Sequence, residues 1–244
     1  VQVISILLKL KEEKAINQKQ KALVVVPTGL LTNWQAEIAR FAPSLSTHIY
    51  HGTARELKRF DADVMLTTYG VVRREEEAFG TRTWGMVVVD EAQAIKNPGS
   101  AQAKAVRRIR APFKLALTGT PIENRLLELW SILAFALPGF LGSESQFKER
   151  FANPIEKYRD PDAARDLRGC AGPFILRRVK TDRTIIEDLP EKQEMKVYTQ
   201  LSREQGLLYQ ARVDQMEKDL AAASGIERRG RILALLTHLK QICN

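Results

Sequence analysis

The sequence predicts an α/β domain, a parallel β-sheet with helices on both faces, followed by a helical extension. Three observations carry this. Continuous apolar runs at 22–26 (Ala-Leu-Val-Val-Val) and 86–89 (Met-Val-Val-Val) have the composition of strands buried on both faces. Amphipathic helical patterns alternate with such runs, which is the mark of βαβ units. The 244 residues, 44% of them hydrophobic, suffice for one large domain or for a lobe with a helical appendage.

The elements follow in order. Residues 1–13 are apolar at Val3, Ile4, Leu7 and Leu8 and then charged, a helix with one buried face. The strand at 22–26 closes at Pro27. Thr32 with Gln35 has capping-box spacing, and Leu31, Trp34, Ile38 and Phe41 repeat at helical period up to Pro43. A short strand is predicted near 47–51 and a helix near 54–60. Strands follow at 63–68, 86–89 and 113–117, with helices near 100–110 and 126–135. Residues 138–192 are rich in Pro, Gly and charge and give no clear element. Residues 194–201 alternate like a strand. Ser202 with Gln205 then caps a helix to about residue 223, and a last helix covers about 229–242.

Composition excludes several classes. No apolar run approaches the ~20 residues that span a bilayer; the longest, at 131–140, contains Pro138. The opening residues show no secretory signal pattern. Two cysteines far apart, Cys170 and Cys243, and three scattered histidines offer neither a disulfide framework nor a metal-ligand cluster. A net charge of +9 suits a polyanionic partner. Lys104, Arg107, Arg108, Arg110 and Lys114 form one basic group without acids; Arg165, Arg168, Arg177, Arg178, Lys180 and Arg183 form a second.

The chemistry-bearing segments follow strand ends. Met-Val-Val-Val delivers Asp90 and Glu91 to the C-terminal end of a strand, where ligands bind in open α/β sheets. In an ATPase the first carboxylate would hold Mg²⁺ through its water shell and the second would activate the attacking water. A second strand ends in Thr118-Gly119-Thr120-Pro121, whose hydroxyls could bond those carboxylates. Pro27-Thr28-Gly29-Leu30-Leu31-Thr32-Asn33-Trp34 and Thr67-Thr68-Tyr69-Gly70 place hydroxyls, amides and helix N-termini on the same edge, groups that bind phosphate oxygens.

The order of these segments is that of superfamily 2 helicase-like ATPases. The stretches DEAQAIKNPGS, LTGTPIENRLLELWSIL, LPGFLGS, PFILRRVKTD, LPEKQE and LKQICN resemble the Swi/Snf-related family of DNA translocases and chromatin remodellers across essentially the whole chain. The resemblance implies a RecA-like first motor lobe that binds ATP and Mg²⁺ against a second lobe and tracks along double-stranded DNA. It implies that Asp90 and Glu91 are the metal and water-activating residues, with Asp90 holding Mg²⁺ through water. Gln93, where many relatives carry His, Thr118, Gly119 and Thr120 would couple nucleotide state to DNA grip. Pro27, Thr28, Asn33, Trp34, Thr67, Thr68 and Tyr69 would line the DNA-facing side, and Lys96 and Asn97 would approach its backbone. Residues 1–201 would be the lobe and 202–244 a helical protrusion leading toward the second lobe.

The family's Gly-Lys-Thr phosphate loop does not occur in the sequence, and the helix that follows it in relatives reads like residues 1–10. The chain is therefore expected to begin about one residue past that loop, without the strand that feeds it, which lies centrally in RecA-like sheets. Three arrangements remain open: the flanking strands pair directly, another chain supplies a strand, or an upstream piece does. Exposed sheet edges would favour self-association. The 244 residues alone are expected not to hydrolyse ATP, whereas the complete parent would be a DNA-dependent ATPase. The alternatives are a non-catalytic DNA- or protein-binding module and an RNA helicase lobe; LTGTP and PFILRR argue against the latter. A bacterial protein of this kind would act at the cytoplasmic nucleoid, a eukaryotic one in the nucleus.

Overall fold

The computed structural model describes residues 1–52, 60–120, 122–178, 195–221 and 225–243. It divides into two compact units, Val1–Leu176 and Arg177–Asn244.

In the first unit, helix α1 (Gln2–Glu12) leads to strand β1 (Ala22–Val26), a 3₁₀ turn (Thr28–Leu30), helix α2 (Leu31–Phe41) and strands β2 (Thr47–Tyr50) and β3 (Val64–Thr68). Helices α3 (Tyr69–Arg74) and α4 (Glu76–Thr81) follow, then β4 (Met86–Val89), a 3₁₀ turn (Ala92–Ile95), α5 (Ala101–Arg108), β5 (Phe113–Ala116) and α6 (Leu126–Ala136). The sheet runs β2-β3-β1-β4-β5, every pair parallel. The helix expected near 54–60 falls largely on 53–59, outside the described residues.

Strand parity decides which face each side chain meets. Ala22, Val24, Val26, Val64, Leu66, Met86 and Val88 point to one side, against Val3, Ile4 and Leu7 of α1 and Leu31 and Ile38 of α2. Leu23, Val25, Met65, Val87 and Val89 point to the other, against Val71, Phe79, Ala103, Val106 and Phe135. Full burial of each such Val or Leu is worth ~1.5–3 kcal/mol, which explains why these strands carry no polar alternation.

Of the three arrangements open for the centre of the sheet, direct pairing is found. β4 and β5 lie in register from Met86↔Phe113 to Val89↔Ala116. Beyond them Leu117 N–H donates to Val89 O and Ala92 N–H to Leu117 O, both at 2.8 Å.

The capping box expected at Thr32 does not form. α2 starts at Leu31 with no side-chain cap, because the 3₁₀ turn ahead of it already supplies carbonyl acceptors: Leu30 N–H donates to Pro27 O and Leu31 N–H to Thr28 O. Gln35 instead reaches Thr47 Oγ1 on β2. The strand expected at 194–201 is also corrected: 195–200 has no regular structure, and Met195, Val197 and Tyr198 are exposed. Alternation without a partner strand does not make a ladder.

The featureless stretch after 138 holds helices the sequence reading lacked: α7 (Glu144–Phe147), a π-helical turn (Lys148–Ala152), α8 (Asn153–Tyr158) and α9 (Pro161–Ala171). Pro161 opens α9, where the missing N–H costs nothing, and Pro154 follows just after the π-helical turn. Ser143 and Gln146 form a reciprocal capping box, and Asp160 accepts from Asp162 N–H and Ala163 N–H. Phe147, Phe151 and Leu167 pack on Leu129, Trp130 and Leu133 of α6.

The second unit pairs α10 (Arg203–Ala221) with α11 (Gly225–Cys243). Ser202 and Gln205 make the reciprocal bonds expected of a cap, and Gln205 Nε2 also donates to Ile242 O at 2.9 Å.

At the sheet end opposite the strand C-termini, Asp63 accepts from Lys11 Nζ at 2.7 Å, Ser46 N–H at 2.9 Å and Ser46 Oγ–H at 2.8 Å. Partial burial raises its pKa, but these donors more than offset that and hold it below the ordinary 3.8. A depressed carboxylate stabilises the fold at pH values above its unfolded pKa, and the contribution fades as pH falls through the folded value. Asp63→Ala is therefore expected to cost about 1.5–3 kcal/mol at neutral pH, the worth of hydrogen bonds to a charged group. Urea unfolding checks this, and the gap to the parent protein should close below the ordinary carboxylate range.

Candidate functional site

The C-terminal ends of β1, β3, β4 and β5 lie on one edge of the sheet and bring together Pro27, Tyr69, Asp90 and the segment from Leu117. β4 carries the chain to Asp90, whose N–H donates to Val25 O at 2.9 Å across the ladder. Glu91 then adopts a left-handed backbone, φ 53 and ψ 52. A non-glycine residue held there costs of order 1–3 kcal/mol, and such strain clusters at functional sites. The bend sends Glu91 N–H back onto Asp90 Oδ1 at 2.9 Å and starts the 3₁₀ turn Ala92–Ile95.

Three donors fix Asp90. Besides Glu91 N–H, the Trp34 indole Nε1–H donates to Asp90 Oδ2 at 2.8 Å, and Tyr69 Oη–H donates to the Asp90 carbonyl at 2.6 Å. Burial, with the Asp90 and Glu91 charges beside it, pushes the Tyr69 phenol far above its usual range, so it remains a donor. Asp90 and Glu91 themselves are half-buried.

A side-chain relay joins the two strand ends. Gln93 Nε2 donates to Glu91 Oε2, and Gln93 Oε1 accepts from Thr118 Oγ1 at 3.0 Å. One amide thus satisfies a carboxylate with its donor end and a hydroxyl with its acceptor end, which fixes its orientation. Thr118 Oγ1 also accepts from Thr120 N–H at 3.1 Å. Thr120 Oγ1 donates to Glu123 Oε1 at 3.1 Å, and Glu123 pairs with Lys96 Nζ. That pairing lowers the Glu123 pKa and raises that of Lys96. Gly119 is exposed with open space around it.

The residues expected on the DNA side divide into two sets. Thr28, Asn33 and Asn97 are exposed, and Pro27 and Lys96 half-exposed. Thr67, Thr68 and Tyr69 are buried. Thr67 Oγ1 donates to Tyr50 O at 2.9 Å, and Thr68 Oγ1 accepts from Val71 N–H at the start of α3. Each of these hydroxyls thus makes one bond within the fold.

Sequence reasoning missed the clamp behind Lys96 and Asn97. Ser131, fully buried in the apolar α6, donates to Ile95 O at 2.6 Å and accepts from Arg107 Nη1 at 3.2 Å. Arg107 Nη2 donates to Pro98 O at 2.7 Å, and Gln102 Nε2 to Ala94 O at 2.8 Å. Asn97 Oδ1 accepts from Gly99 N–H, closing the turn. The available signal was the lone serine within Leu-Leu-Glu-Leu-Trp-Ser-Ile-Leu: a hydroxyl buried among apolar neighbours needs a partner.

Comparison with known proteins identifies the arrangement. The family model described as the SNF2-related domain matches residues 1–244. A Bacillus subtilis protein, YwqA, named as an ATP-dependent helicase/translocase, is 40% identical over 250 residues, covering 100% of this chain and 27% of its own length. The TATA-binding protein-associated factor MOT1 of Saccharomyces cerevisiae is 35% identical over 243 residues, covering 91% of this chain and 13% of its own. The Sulfolobus solfataricus SWI2/SNF2 ATPase core in complex with dsDNA superposes with a TM-score of 0.70 at 43% identity, covering 99% of this chain and 50% of that one. The chain thus spans about half of that ATPase core and about a quarter of YwqA. The parallel five-stranded sheet is RecA-like, as in these cores. With the motifs in order on one sheet edge and the family model spanning its length, the chain belongs to the SNF2-related domain family.

Proposed function

We propose that this chain is the first motor lobe of an ATP-dependent translocase that moves on double-stranded DNA. The observation that carries it is the Glu91–Gln93–Thr118 relay at the end of β4, beside Asp90, whose carboxylate is held by two donors and whose carbonyl is held by a third. Glu91 takes the proton of the attacking water, and Gln93 reports that state to the Thr118–Thr120 segment. Thr120 passes it on through Glu123 to Lys96, so the hydrolysis side and the expected DNA side share one chain of polar contacts.

Asp90 suits a hydrated cation. Each carboxylate oxygen accepts one bond from the protein, leaving lone pairs for water. Mg²⁺ keeps several of its waters and arrives with phosphate, so one or two protein carboxylates are enough to hold it. Bound Mg²⁺ would supply charge neutralisation at the phosphates.

Thr28, Asn33, Lys96 and Asn97 are the side chains available to meet DNA phosphates. No Gly-Lys pair occurs in the sequence, so these 244 residues alone lack the phosphate cradle and are inactive in hydrolysis. They serve as part of a longer protein that supplies the loop and a second lobe. Among the described residues no helix is long and apolar enough to cross a membrane.

ATP hydrolysis by the full-length protein tests this. Duplex DNA should stimulate it strongly and single-stranded RNA weakly. DNA affinity should fall about 10³-fold or more between 50 and 200 mM salt, as expected for six or so phosphate contacts. Hydrolysis indifferent to DNA would overturn the reading, and stimulation by RNA instead would favour an RNA helicase lobe. Duplex binding by the full-length protein without hydrolysis would identify a non-catalytic binding module.

A further inference from the structure

The geometry points to Trp34 as a positioning residue for Asp90, tying the helix that follows β1 to the carboxylate; this role rests on the function proposed above. Trp34 stands in α2, and the sequence places it with its neighbour Asn33 on the expected DNA-facing side. The structure separates two consecutive residues of that helix. Asn33 is exposed, whereas Trp34 is half-buried and packs against the cluster containing Leu31 and Ile38.

The contact has one chemical meaning. Indole Nε1–H is a donor only, and a carboxylate is an acceptor only. At 2.8 Å from Asp90 Oδ2 the two are complementary and the bond is charge-assisted. Asp90 Oδ1 is already taken by Glu91 N–H and the Asp90 carbonyl by Tyr69 Oη–H. Trp34 therefore holds the one carboxylate oxygen the rest of the edge leaves free to swing. Its ring is anchored on the face of the sheet that holds α1 and α2, so a shift of α2 against the sheet moves the donor relative to Asp90. Partners in this position are worth about 10–100-fold in metal affinity or activity.

Two measurements test the assignment. The chain has three tryptophans, Trp34, Trp84 and Trp130, and thus three indole N–H signals in a proton–nitrogen NMR spectrum. In the 244-residue chain, Asp90→Ala should displace the Trp34 signal and speed its exchange with solvent, leaving the other two in place. In the full-length protein, Trp34→Phe keeps an aromatic ring and removes the donor. It should raise the half-saturating Mg²⁺ concentration for ATP hydrolysis about 10-fold while the half-saturating DNA concentration stays unchanged. A Trp34 signal indifferent to Asp90→Ala overturns the proposal. So does a Trp34→Phe variant that weakens DNA and leaves Mg²⁺ dependence alone, since that describes a DNA contact. Should Trp34→Phe not fold, the NMR arm still decides, because it leaves Trp34 intact and assigns its signal through bonds. A wild-type full-length protein without DNA-stimulated hydrolysis overturns the functional reading and the role together, while the hydrogen bond is read independently by NMR.

Discussion

Glu91→Gln should lower ATP turnover by the full-length protein about 10²–10⁴-fold, the range lost with a general base, while DNA binding persists. The substitution is close to isosteric. A glutamine oxygen can still accept the Gln93 amide bond that Glu91 now accepts, so the relay to Thr118 has no steric reason to break. The left-handed backbone at φ 53 is equally strained for Glu and Gln, so the fold gains and loses nothing there. The variant thus isolates proton transfer from architecture. Single-turnover hydrolysis and DNA affinity, measured side by side, check it: unchanged turnover removes Glu91 as base, and a parallel loss of DNA affinity shows that its role is structural.

The largest effect on stability is expected at the opposite end of the same strand. Trp84, just ahead of β4, is fully buried. It stacks on Phe79 with centroids 5.9 Å apart and on Phe60 at 6.1 Å, and the Arg82 guanidinium lies over its ring at 5.0 Å. Its Nε1–H donates to Phe79 O at 3.3 Å. Trp84→Ala removes the ring from the centre of this stack and leaves the Phe79 carbonyl without that partner. A loss of about 3–5 kcal/mol follows from cavity formation at a large aromatic. Denaturant unfolding of the 244-residue chain reads it directly, and a loss under about 1 kcal/mol would mean that the core collapses around the gap. Where the folded fraction remains measurable, the indole signal of Trp34 should be unmoved, because Trp84 and Asp90 stand at opposite ends of β4.

The contrast between these two ends shows what local sequence encodes. Val87, Val88 and Val89 read as a buried strand because the run is short and wholly β-branched, and Asp90-Glu91 then follow at its end. The order of Thr28, Thr68, Asp90 and Thr118 behind four such runs was equally legible, since each strand in a parallel sheet must deliver its following loop to the same edge. The cap at Ser202 was readable from local spacing, because a cap bonds within three residues.

Other features needed the third dimension. Trp34 and Asp90 are 56 positions apart, Gln93 and Thr118 are 25, and Ser131 and Ile95 are 36. Thr67 and Thr68 look like ligand-facing hydroxyls in sequence, and only the neighbouring β2 and α3 show that they are already bonded. Residues 195–200 alternate correctly yet find no partner strand among the described residues, whereas the proline-marked stretch after 138 folds into helices because its Phe side chains meet α6. By itself, then, the sequence determined the five strands of the sheet, their order along the chain and the carboxylate pair, since those follow from local period and turn chemistry. The tertiary structure alone decided that Asp90 is held by a tryptophan and that β4 pairs with β5, since both depend on which distant segments the sheet makes neighbours.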